Sequence, residues 1–482
     1  MLFNSLHFFV FYNVVLIAFC ATPQRWRWLL LLIASYYSYM WWNPLYALLL
    51  VGLTLWCYIA AIGIDVAASR IARRAWLVVG IGGCVGLLLF YKYLDFFSIS
   101  LSYGLGAVGV HWSAPLLHMI IPVGISFHTF QSMGYLIDVH RRDIRAERHL
   151  GIYGVFIVFF PQLLAGPIER SRHMLPQFRR HTPPTYERVS SGLRWALWGL
   201  FKKMAIADLL ASFVSHVYAK PQGISGAILL LATFFFSIQI YCDFSGYSDV
   251  AVGLARIMGY DLMINFRQPY LARSVSEFWS RWHISLSTWF RDYVYIPLGG
   301  SRVRPGRWTF NILVVFVLSG LWHGASVLFL LWGLLHAVYL LTERVTQPLR
   351  KRLAQASGLG EGSSLGAFLS TAKVFLLVMI GWVLFRAGSV ADAAYILRHM
   401  FQLRRLPMAS FFTYGLPRFE FMLAFVMIAL LIAVEFFLRF RPPALNALWQ
   451  SRAVRWGCYA GCAYAIVFFG VFDRVEFIYF QF

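Results

Sequence analysis

Long apolar runs recur from one end of this 482-residue chain to the other. They fall near residues 2–20, 28–42, 45–64, 76–93 and 116–139, and again near 190–213, 225–242, 247–260, 309–326, 327–342, 366–386, 419–438 and 455–472. Hydrocarbon offers no water to backbone N–H and C=O groups, so such a run crosses only as a helix, which closes its hydrogen bonds within the segment. The reading is an all-α polytopic membrane protein, and at about 20 residues per crossing the chain has room for on the order of a dozen spans. Composition agrees: 60% of residues are apolar or aromatic and 13% are charged, against about 25% charged in a soluble domain.

The 42 Lys and Arg against 20 Asp and Glu could suggest nucleic acid. They lie instead in short clusters between apolar runs, as cytoplasmic loops facing anionic lipid do, so membrane lipid is the expected partner and nucleic acid is not. Arg25/Arg27, Arg70/Arg73/Arg74 and Arg141/Arg142/Arg145/Arg148 follow the first, third and fifth segments. That asymmetry puts those loops in the cytoplasm and the N-terminus outside. The run 2–20 has no basic residues ahead of it and no small-residue cleavage site, so it reads as a retained span.

Residues 150–165 break the alternation. Basic loops flank them on both sides, and Pro161 and Gly166-Pro167 interrupt them, which reads as a re-entrant segment around a lined cavity. Residues 267–308 mix seven arginines, among them Arg267, Arg281 and Arg291, with many aromatics and read as interfacial or re-entrant helices on the cytoplasmic side. The stretch 353–365, rich in Gly and Ser, reads as a flexible loop. No repeat of fixed period and no soluble region stands out, so residues 1–482 are read as one membrane-embedded domain. The six cysteines are dispersed without CxxC or His/Cys ligand spacing, from which neither a disulfide nor a metal site is expected.

Three constellations could carry chemistry. The first joins Arg281-Trp282-His283 and Ser287-Thr288-Trp289-Phe290-Arg291-Asp292 to Trp322-His323-Gly324, with His336 on the following segment. An ionisable side chain at membrane depth costs roughly 2.5 to 3.5 kcal/mol on insertion scales when charged, so His323 is seldom there without a function. Two neighbouring imidazoles can take a proton from a hydroxyl and orient what it attacks. His336, between Leu335 and Ala337, fits helix packing as well as chemistry. The second constellation is Gln239 to Asp249, where Asp243, Ser245, Tyr247 and Asp249 could line a polar passage or cap the ends of broken helices. The third, Pro122 to Gln131, sets His128 and Gln131 beside a helix break, where a packed kink is the simpler reading.

These residues resemble a family. Arg281-Trp282-His283, Phe290-Arg291-Asp292 and Gly320-Leu321-Trp322-His323-Gly324 look like the signature of the membrane-bound O-acyltransferases. Gly124-Ile125-Ser126-Phe127, Gln162 to Ile168, Phe201-Lys202-Lys203, Asp243 to Asp249 and Phe477 to Phe482 resemble the bacterial branch that includes alginate O-acetyltransferase and the D-alanine transferase of teichoic acid. The similarity extends over the whole chain. His128 stands where Phe or Tyr is commoner in that motif.

The resemblance implies a ring of about 11 tilted transmembrane helices, with re-entrant and interfacial helices around a central tunnel. It implies that His323 is the active-site histidine and His283 its partner across the tunnel. Trp322, Ser287, Trp289, Arg291, Asp292, Asp243, Ser245, Tyr247, Asp249, His128, Gln131 and His336 are further candidates for lining it. It also implies acetyl-CoA as donor substrate, with no bound cofactor. The expected activity is O-acetylation of an exported, alginate-like polysaccharide from the bacterial inner membrane, directly or through a periplasmic acetyltransferase partner. Cellulose, peptidoglycan and other exopolysaccharides are competing acceptors. A polytopic transporter is the alternative of a different class, separated by whether acetyl-CoA is consumed. A scaffold for a secretion complex is a third, which loss of acetylation from an intact complex excludes.

Overall fold

A computed structural model describes all residues except 2, 111, 113–115, 118–120, 164–165, 181, 359–362, 404–405, 473–476 and 479–482. Leu164 and Ala165 of the Gln162 to Ile168 motif, and the last four residues of the Phe477 to Phe482 motif, therefore lie outside the described residues. Among the described residues every element is helical. The protein is an all-helical polytopic membrane protein. Among the described residues, six helices are both long and apolar enough to cross a bilayer: Pro44–Val66, Arg70–Ala107, Gly226–Ile257, Val327–Val345, Ser364–Arg386 and Arg418–Phe440. Leu6–Ala21 is apolar but has 16 residues, about 24 Å of helix, short of the roughly 30 Å hydrocarbon core.

The chain forms two compact units. The first comprises Met1–Ala196 with Ala251–Met263. Within it Pro44–Val66 packs against Arg70–Leu88 and Ile125–Arg141, and Gln24–Met40 packs against Leu150–Val158. Ser69 caps the second of these helices, its hydroxyl accepting from the Ala72 N–H at 3.0 Å. Only 17% of the apolar window of Arg70–Ala107 is buried, so most of its surface is of the kind lipid covers.

The second unit comprises Leu197–Val250 with Ile264–Phe482. Residues 226–250 of the helix Gly226–Ile257 belong to this unit, and 78% of the helix's apolar window is buried. Arg418–Phe440 and Arg452–Phe469 both pack on the wide π-type turns of Phe201–Ala207. Helices Pro305–His323 and Val327–Val345 form a close hairpin. A Cβ on Gly320 would lie 2.3 Å from the Phe329 carbonyl oxygen, and one on Gly333 equally close to that of Phe316. Glycine at both positions lets the two backbones touch.

Three boundaries differ from the sequence reading. The runs 225–242 and 247–260 are one continuous helix, because its interior polar side chains find partners and leave the backbone ladder intact. Residues 76–93 belong to a longer helical stretch, Arg70–Ala107. Of the expected loop 353–365, residues 353–356 finish the helix Gln347–Ala356, which starts with Pro348 in its first turn.

Candidate active site

His323 is the last residue of helix Pro305–His323. The next residue, Gly324, is extended, and Ser326 caps Val327–Val345 by accepting from the Leu328 N–H at 3.3 Å. The imidazole therefore sits at the tip of the glycine-welded hairpin, at a helix end. Its ring is met nearly at right angles by Trp322 at 4.9 Å, Trp332 at 5.0 Å and Phe385 at 5.2 Å between centroids.

His283 occupies the junction between two short helices, Val275–Arg281 and Ile284–Phe290. Its backbone is left-handed, with φ 43° and ψ 55°, a conformation that costs a side-chain-bearing residue of order 1 to 3 kcal/mol. The surroundings impose it. The Asn265 carbonyl accepts from the Ile284 N–H at 2.9 Å, the Asn265 side chain accepts from the Ser285 N–H at 3.3 Å, and Asn265 in turn donates to the Ser248 hydroxyl at 3.1 Å. The imidazole packs edge-on to Phe244 at 4.6 Å and faces Trp322 at 5.6 Å. Burial among these rings pushes its pKa down to about 3, so at neutral pH it is an uncharged imidazole.

Trp322 thus touches both histidines and joins them in one buried cluster. A cavity of about 920 Å³ lies nearby, lined by Trp279, Phe316 and Ser319 together with Arg291, Arg344 and Arg350. Ser319 stands one helical turn before His323, while neither His323 nor His283 lines this cavity. Ser287 lines it too, with its hydroxyl bonded to the Trp282 carbonyl at 3.1 Å. His336 is fully buried and enclosed by Trp279 and Trp332, each 5.0 Å away. Trp289 packs on Phe290 and Tyr293, and Arg291 pairs with Asp292 at 2.8 Å.

The Asp243 to Asp249 string faces a second feature, which the sequence reading did not assemble. Lys202 donates to Ser245 at 2.8 Å and to Asp249 at 2.6 Å, and Lys203 pairs with Asp208 at 2.7 Å and Asp243 at 2.6 Å. The Ile478 N–H donates to the other Asp243 oxygen at 2.7 Å, Tyr247 packs on Phe477, and the Tyr241 hydroxyl donates to Glu435. The sequence signal was two adjacent lysines inside an apolar run. Such cations need carboxylate partners, but nothing in the spacing says which.

In the first unit, His128 and Gln131 serve a helix end. Leu150–Val158 stops after nine residues, leaving carbonyls without intrahelical donors. The Ile157 carbonyl contacts His128 Nδ1 at 3.1 Å, and the Phe156 carbonyl accepts from both Gln131 and Gln162. Interrupted backbone in an apolar setting is satisfied by side chains, as it must be.

Comparison with known proteins adds an independent line. The membrane-bound O-acyltransferase family profile matches residues 152–380. The probable alginate O-acetylase of Pseudomonas putida is 39% identical over 83% of this chain and 79% of its own length. The peptidoglycan O-acetyltransferase of Helicobacter pylori is 34% identical over 78% of this chain and 73% of its own. The teichoic acid D-alanyltransferase of Bacillus subtilis is 30% identical over 46% of this chain and 59% of its own. With the histidines on a tight hairpin tip and a strained helix junction, and with relatives matched over most of their length, the chain belongs to the membrane-bound O-acyltransferase family.

Proposed function

We propose that residues 1–482 act as one acyltransferase domain that moves an acetyl group from acetyl-CoA to a hydroxyl of an exported polysaccharide, or to a periplasmic partner acetyltransferase that hands it on. The observation that carries the reading is the pair of imidazoles, His283 and His323, on one indole, Trp322. His323 takes the proton of the acceptor hydroxyl as its oxygen attacks the thioester carbonyl. The C–O bond forms, the C–S bond breaks, and the proton passes from His323 to the departing thiolate. His283 hydrogen-bonds the donor carbonyl and orients it. The cavity bearing Arg291, Arg344 and Arg350 suits the phosphates of the donor. The remaining polar candidates near it, Ser287 foremost, would contact the donor's arm.

The acceptor is argued from relatives. The best-covered one named above is a probable alginate O-acetylase, so an alginate-like uronate polymer is the first reading. The Helicobacter relative's name supports peptidoglycan as the second. The bacterial inner membrane is the proposed location, with the N-terminus periplasmic because the Arg70 to Arg74 and Arg141 to Arg148 clusters belong inside. Thiol labelling of a cysteine placed at position 145 from the periplasmic side would overturn that orientation.

General-base assistance is worth roughly 10² to 10⁴ in rate, so His323→Ala in purified, reconstituted protein should lose at least about a hundredfold in acetyl transfer while eluting as wild type. Full transfer in that variant would end the mechanism. Polymer export with no consumption of acetyl-CoA would favour a transporter.

A further inference from the structure

The rings around His323 do more than bury it. Three stand nearly perpendicular to the imidazole, and Trp332 and Phe385 are 0% and 2% exposed. They are backed in turn: Trp382 lies against Trp332 at 6.3 Å and against Phe385 at 5.4 Å, and Phe329 packs on Phe385 at 5.0 Å. Trp382 is itself anchored, its indole N–H donating to the Tyr270 hydroxyl at 3.1 Å. A two-deep wall of aromatic rings packed at interior density has little room to retreat. The open volume of the nearby cavity reaches Ser319, one turn away, but is not lined by His323.

We propose that Trp332 and Phe385 set the length of the transferred acyl group, admitting acetyl beside His323 and excluding longer chains. The inference rests on the reading of His323 as the base. An acyl carbon positioned for attack within reach of that imidazole projects its methyl group toward the surrounding rings, and each further methylene would have to displace one of them. A close-fitting pocket discriminates one methylene by roughly 10- to 200-fold.

The test uses reconstituted full-length protein with acetyl-, propionyl- and butyryl-CoA as competing donors. Wild type should prefer acetyl over butyryl by at least about a hundredfold in kcat/KM, and Trp332→Ala and Phe385→Ala should each narrow that ratio by at least about tenfold. Trp332→Phe and Phe385→Leu serve if the alanine variants do not fold, with a smaller narrowing expected. Equal use of butyryl and acetyl by wild type would overturn the inference. So would variants that lose both donors in parallel with the ratio unchanged. If wild type transfers acetyl but His323→Ala does so equally well, the underlying mechanism fails instead, which is a separate result.

Discussion

At the scale of single residues, His283 is the informative one, because its backbone is held in a region that glycine occupies without penalty. His283→Gly should therefore be more stable than His283→Ala by about 1 kcal/mol, although both lose the imidazole and should be impaired in acyl transfer. Thermal unfolding of the two variants in detergent checks the order. Titration is the second consequence. The folded-state pKa, about 3, lies below the ordinary value near 6.5, so the unfolded chain binds the extra proton between those limits. Stability from the neutral ring is fully present above about pH 6.5 and is lost as pH falls, by about 2 kcal/mol at pH 5. Wild type should thus lose more thermal stability between pH 7.5 and pH 5 than His283→Asn does. Both histidines stood out in the sequence as candidates, since an ionisable group in or beside an apolar run needs a reason. The strained backbone at position 283 was not, because it is imposed by Asn265, 20 residues away from the Ser285 N–H it holds.

At the scale of elements, the hairpin of Pro305–His323 and Val327–Val345 positions His323 by backbone contact. Gly320→Ala would push a methyl into the Phe329 carbonyl, which backbone cannot yield cheaply. Overpacking of this kind costs typically about 1 to 3 kcal/mol, and here it should also displace the helix end that carries His323. The expected result is a lowered unfolding temperature together with reduced kcat. An unchanged unfolding temperature would show that the hairpin opens without penalty. Apolar runs made most helices readable, and the nine-residue helix Leu150–Val158 agrees with the expected interruption at Pro161. One misread element was Gly226–Ile257, where polar residues suggested a break. A helix breaks only when its backbone loses partners, and here the side chains of Ser245, Asp243 and Asp249 reach outward to lysines instead.

At the scale of the whole molecule, the second unit is tied together by charge as well as by apolar packing. Lys202 on Phe201–Ala207 meets Asp249 on Gly226–Ile257, 47 residues later, and Asp243 on the same helix accepts from Ile478, 235 residues on. Such long-range pairing is invisible in a single sequence, which shows that a buried lysine needs a carboxylate but leaves the choice to the fold. Removing one partner of a buried pair strands the other charge and costs about 3 to 5 kcal/mol, whereas replacing both with apolar residues of similar volume is often close to neutral. Lys202→Met alone should therefore unfold at a markedly lower temperature than wild type, and the Lys202→Met/Asp249→Leu double variant should recover much of the loss. The recovery is a coupling energy, readable as a double-mutant cycle. Additive losses would mean that the pair is solvated and that the union of these segments rests on apolar packing alone.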